Sequence, residues 1–184
     1  MLASLLQAPP APYNLPTSAV CIVLDLAQPG GAVDSLLYWL AVVREFTAKA
    51  AEELQRSSPQ LLEQLQQRAN ERWEKHEDRA KVSAGLVPII VVGAKFDVFA
   101  SQFESVRKRQ LCAALRYVCH SNGCDLVFAS VKEKLPAQLF KAMVSRHVFD
   151  SSLQAKVEKD PNQPLNVYAG SDNFLQIGEP EVKR

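Results

Sequence analysis

Three apolar runs, "AVCIVLDL", "VPIIVVGA" and "DLVFAS", limit most what this chain can fold into. Each is short, rich in β-branched residues and not broken at alternate positions, which is the pattern of a strand covered on both faces. Pro-Gly-Gly ends the first run at Gly31, so the first strand lies within Ala19–Gly31; the others are expected over Val87–Val92 and Asp125–Ser130.

Helical periodicity fills the gaps between them. A helix is expected to start near Asp34, whose carboxylate can accept from free N–H groups of the first turn, with Leu36, Leu40 and Val43 on one stripe and Leu37 beside it. The pattern breaks at "RSSPQ" and resumes with Leu62, Leu65, Ala69 and Trp73. From Arg68 to Lys81 both signs of charge dominate, which predicts a solvated face with internal ion pairs. A further helix is expected from about Ser101 to His120, with Leu111, Leu115 and Val118 inside. The last carries Leu135, Leu139, Phe140, Met143 and Val144. Alternation of this kind predicts an α/β fold, a parallel sheet with helices on both faces, and right-handed crossovers place the three strands side by side.

Beyond Asp150 no long periodic element remains, but Val167, Tyr168, Phe174, Leu175 and Ile177 look like short anchors, laid either on the domain or on a partner. The first seventeen residues hold four of the eleven prolines and read as an irregular lead-in. A chain of 184 residues, 47% of them hydrophobic, has material for one real core. Its net charge of +1 gives no general pull toward nucleic acid or an anionic membrane. No run reaches membrane-spanning length and no basic flank marks a secretory signal, so the cytoplasm is the expected compartment.

The chemistry-bearing residues are few. Cys112, Cys119 and Cys124 with His120 do not form the paired knuckles of a zinc site, so reduced and mostly buried thiols are expected, Cys21 included, with no metal and no cofactor. His76, His120 and His147 fall on helices or at helix ends, where surface or capping roles are the ordinary reading. "GAKFD" stands at the carboxyl end of a strand, where an open parallel sheet binds ligands. There Asp97 can accept two hydrogen bonds from guanine while the stem of Lys95 covers the base, and the loop "ASVK" with Ser130 can add backbone donors. Phosphate affinity is another matter. None of the seven glycines stands in Gly-x4-Gly-Lys-Ser/Thr, and the other common catalytic motifs are missing too, so catalysis is not expected.

Read in order, "AVCIVLDLAQP", the charged helical insertion, "VPIIVVGAKFDVF", "FESVRKRQLCAALRYVCHSNG", "DLVFASVKEK" and "NVYAGSDNFLQIG" closely resemble the cytoplasmic dynein-2 light intermediate chain family, from Ser18 to Gly178. The resemblance implies a Ras-like fold used as a scaffold that binds and stabilises the dynein-2 heavy-chain tail. The expected setting is retrograde intraflagellar transport, in cytoplasm, cilium and basal body, with other dynein-2 subunits and the intraflagellar transport machinery as partners. It also implies an organisation: a lead-in over 1–17, the C-terminal half of a Ras-like domain over 18–150 and an extended tail over 151–184. Lys95, Asp97 and Ser130 then mark a vestigial guanine corner, with Ala94 in place of the usual Asn or Thr. Tyr168, Phe174, Leu175 and Ile177 become candidate partner contacts. The strand with the phosphate loop is lacking from this sequence, so the edge of the Val20–Leu24 strand is expected to lie open. The competing function is a guanine-nucleotide switch whose longer form carries a phosphate loop.

Overall fold

A computed structural model describes residues 12–131, 134–149, 151 and 156–178, with the side chains of 134–136 left aside. Leu135, expected on the last helix face, therefore lies outside the described side chains, as does Lys132 of the "ASVK" loop.

Three parallel strands form as the apolar runs require: β1 (Val20–Asp25), β2 (Ile89–Ala94) and β3 (Asp125–Phe128). A fourth, β4 (Asn166–Val167), joins antiparallel to β3, giving the order β1-β2-β3-β4. Two residues are too few for a periodic signal, so β4 has no counterpart among the expected strands. Helix α1 (Ala32–Ser57) and helix α4 (Ser105–Ser121) cover one face. There Leu36, Leu40, Cys112 and Leu115 pack with Ile22, Leu24, Val91 and Phe128. Helix α5 (Lys134–Phe149) covers the other, where Met143 meets Ile90 and Val127. Alternate residues of β2 thus serve two cores, as the period of a strand demands.

β1 departs from the expectation of burial on both faces. Ile22 and Leu24 are buried, but Val23 is 63% exposed and Cys21 is exposed, because α5 reaches only the part of the sheet built by β2 and β3. An apolar groove of about 390 Å3, lined by Cys21, Val23, Trp39, Val43 and Phe46 among others, runs along this strand. Leu37 also points outward, at 48% exposure.

A smaller core joins the far half of α1 to α2 (Pro59–Glu71) through Ala50, Leu54, Leu62 and Leu65. Leu15 is buried in it, and the prolines around that residue form a 3-10 turn over Pro12–Thr17 rather than irregular chain. The helix expected from Ser101 to His120 is two: α3 (Phe96–Gln102) and α4, separated where Phe103 turns extended and lays its ring 5.7 Å from that of Phe99. The charged run is the largest correction. Past Glu71 it leaves the helix for turns, and several of its charged side chains point inward.

Candidate functional site

The guanine-like corner forms at the end of β2. Ala129 donates its N–H to the Gly93 carbonyl and Phe96 donates to the Ala129 carbonyl, so the loops after β2 and β3 are tied together. Lys95 takes a left-handed conformation (φ 62°) as the N-cap of α3, and Asp97 enters the first turn of that helix. The Lys95 ammonium, however, donates to Oδ2 of Asp25 at 2.6 Å, and this bond with the Ala27 N–H holds the Asp25 carboxyl below its ordinary range. Both side chains are about half exposed, so the pair contributes little stability. Ser130 is buried beside the corner. The neighbouring depression, about 510 Å3, is lined by Asp25, Gly30, Gly31, Trp39, Phe103 and Arg107 among others; Lys95, Asp97 and Ser130 are not part of it.

The densest polar chemistry lies elsewhere, where the C-terminal segment closes on the domain. Asp172 is 3% exposed and accepts two bonds from Arg116 at 2.7 and 2.8 Å, a bidentate fork, and one ion pair from Lys159 at 3.1 Å. Burial pushes its carboxyl up, but Arg116 and then Lys159 overcome this and leave it below the ordinary range. Asp78 accepts from the Phe174 N–H and pairs with His120 Nε2, both at 2.9 Å. The Phe174 ring packs on His120 and Tyr117, which seats the short helix α6 (Phe174–Ile177) on α4. Burial lowers the His120 pKa despite Asp78 at its side.

A second buried network crosses under β3. His147, 1% exposed, pairs through Nε2 with Asp125 Oδ2, while its Nδ1 faces the Arg72 guanidinium at 3.0 Å. The other Asp125 oxygen accepts from the Ala169 N–H at 2.7 Å, and Arg68 donates to the carbonyls of Pro16 and His147. These bonds join α2, β3, α5 and the tail. The expectation of surface histidines is therefore corrected for His120 and His147: each is buried with a carboxylate partner. Arg68, Arg72 and Asp78 are partly buried and turn toward partners inside the domain, while Glu71, Glu74, Lys75, Glu77, Arg79 and Lys81 keep the solvated face that was expected. The signal that could have shown this is slight, a lone His-x-Asp at 76–78, because the partners lie 42 to 96 residues away in the chain.

His76, Asp78 and His120 bring ligand-type atoms within 4.8 Å of one another, a set that suits a divalent cation by residue type. Both ring nitrogens of His76 are already engaged. His76 Nδ1 accepts from the Asp78 N–H, which assigns the proton to Nε2, and Nε2 donates to the Asp172 carbonyl. The arrangement therefore works as a hydrogen-bonded clasp. Cys112, Cys119 and Cys124 are buried, as expected, and burial pushes the Cys112 thiol up to about 12, far from a reactive thiolate. Cys21 is exposed on the edge strand instead.

Of the four tail residues considered as partner contacts, Tyr168 and Ile177 are each 9% exposed and packed on the chain itself, and Phe174 sits against α4. Leu175 alone of these stands out, at 89%.

The model of the dynein light intermediate chain (DLIC) family matches residues 4–85. Cytoplasmic dynein 2 light intermediate chain 1 of Danio rerio is 30% identical, over 97% of this chain and 49% of that protein. Its Homo sapiens counterpart is 29% identical over 98% and 51%. Cytoplasmic dynein 1 light intermediate chain 1 of Rattus norvegicus is 27% identical over 90% and 37%. The chain thus spans about half the length of the dynein-2 relatives it matches. A solved structure of the dynein light intermediate chain's conserved domain superposes with a TM-score of 0.62 at 18% identity, over 96% of this chain and 64% of that one, which establishes the Ras-like fold. The chain is similar to the dynein light intermediate chains, and its likeness to those of cytoplasmic dynein 2 runs through nearly all of it.

Proposed function

We propose that this chain is a non-catalytic subunit of the cytoplasmic dynein-2 motor, which binds and steadies the heavy-chain tail during retrograde intraflagellar transport. The working place is then the cytoplasm and the cilium with its basal body. The observation that carries this reading is the likeness to dynein-2 light intermediate chains over nearly the whole sequence, tail included. Physical features support it. Lys95 is engaged by Asp25, and the sequence has no phosphate loop to supply the main part of nucleotide affinity. In this reading residues 18–150 are the scaffold and the segment from 151 is its clasp. Among the described residues no helix is long and apolar enough to cross a membrane.

Leu175, exposed on a helix that Phe174 seats against α4, is the tail residue best placed to touch the heavy chain. The full-length protein is expected to co-purify with a heavy-chain tail fragment, and Leu175→Asp to weaken that capture on the order of tenfold with an unchanged melting temperature, as for an apolar anchor at an interface. Failure of the parent protein to capture the tail would sink the reading.

A second reading, a guanine-nucleotide switch in a longer form, draws on one observation: Lys95 and Asp97 stand at the end of β2 in a left-handed turn that leads into α3. Denaturing the purified full-length protein and assaying released nucleotide separates the two, since a stoichiometric guanine nucleotide favours the switch.

A further inference from the structure

We propose that the groove between α4 and the C-terminal segment is a docking site for an acidic peptide segment of a partner protein. The groove measures about 450 Å3, within the range of sites that hold several side chains. One wall is a single face of α4, since Ser105, Arg109, Cys112 and Arg116 recur at helical spacing; Lys159 and Gln176 stand on the other.

Charge decides the class of occupant. Three cations line the groove, Arg109, Arg116 and Lys159, and among the described residues no acidic side chain does. Asp172 lies beneath, holds Arg116 and Lys159 in place and offsets part of their charge, so Arg109 is the cation that meets a ligand directly. Lys159 also donates to Gln176 at 2.9 Å. Asp160, close enough to act on Cys112 through space, is held in its own turn by the Asn162 N–H. Arg109 is exposed and has no hydrogen bond or ion pair among the described residues. An exposed guanidinium beside two fixed cations is an arrangement that takes a carboxylate in a bidentate grip.

The apolar surroundings specify the rest. Ala113, Pro161 and Ile177 line the same groove. Val106, one helical turn before Arg109, is 55% exposed, and Leu175, next to Gln176, is 89% exposed. A segment with carboxylates flanked by leucine-like residues matches both the charge and the apolar rim. Nucleic acid fits less well, because among the described residues no aromatic side chain lines the groove to stack on a base.

The test uses the full chain and a fluorescein-labelled peptide of sequence Glu-Glu-Leu-Asp-Glu-Leu, followed by fluorescence anisotropy. Binding is expected, weakening as salt rises. Arg109→Glu is expected to lower the affinity on the order of tenfold, as a reversed charge beside a carboxylate does. Arg109 is exposed and makes no bond among the described residues, so circular dichroism and the melting temperature should match the parent. The idea is overturned if a peptide with lysine in place of its acidic residues binds equally well, if Arg109→Glu binds like the parent, or if no binding occurs at millimolar peptide. It is overturned too if phosphatidylserine vesicles, and not the peptide, show the dependence on Arg109.

Discussion

At the scale of single residues, the clasp around His120 makes stability depend on pH. His120 faces Asp78 and His76, with the Asp172 carboxylate acting on it through space, and burial holds its folded pKa below the ordinary 6.5. As pH falls through 6.5 the unfolded chain takes up a proton that the folded chain refuses, so stability declines. Asp78 and Asp172 add a second loss. Their folded pKa values lie below the ordinary 3.8, so their contribution is complete above that value and disappears as pH falls beneath it. The denaturation midpoint should therefore be level above pH 7, decline toward pH 5 and drop again below about pH 4. His120→Gln should remove the first decline and keep the second. A parent midpoint level from pH 7 to pH 5 would contradict the assignment. None of this was legible in the sequence, where a histidine on a helix gives no sign of a carboxylate brought from a distant loop.

At the scale of elements, legibility followed the length of the periodic signal. The cores of β1, β2 and β3 were readable because six or so apolar residues in a row have few alternatives. The end of α2 was not, since the residues after Glu71 keep a helix-compatible composition while Arg72 and Asp78 are drawn inward by partners far along the chain. Closeness of elements is also invisible in sequence. Gly93 reads as the glycine of a ligand loop, yet a methyl group added there would lie 2.6 Å from Phe128 Cδ1 and 2.8 Å from Leu26 Cδ1. Gly93 is there because β2 and β3 are packed beneath an aromatic side chain. Gly93→Ala should destabilise the fold by about 1–3 kcal/mol, as overpacking does, read from chemical denaturation. A change under about 0.5 kcal/mol would mean that Phe128 and Leu26 yield freely.

At the scale of the whole molecule, the open edge dominates. Val20 donates to Pro88 and Leu26 to Ala94, so even-numbered residues of β1 direct their backbone groups to β2 while Cys21, Val23 and Asp25 direct theirs outward. No described strand lies beyond β1, and the exposed Val23 and the groove beside Trp39 make this edge apolar. Natural sheets guard such edges with charge. The 184-residue chain on its own should therefore associate at micromolar concentrations in sedimentation velocity runs, and Val23→Lys should return it toward the monomer. A parent chain that stays monomeric would refute this. The open edge was legible from the sequence; the clasp that closes the opposite edge was not, because its parts are scattered over a hundred residues.

That clasp sets an order of events during synthesis. Residues 166–178 leave the ribosome after the strands they cover, so β3 waits as an uncovered flank while Asp125, Asp78 and His120 lack their tail partners. The contacts that finish the fold span 96 residues and belong to its slowest step. A message that ends before Asn166 would leave the β3 flank of the sheet unguarded, a natural target for chaperones and proteases.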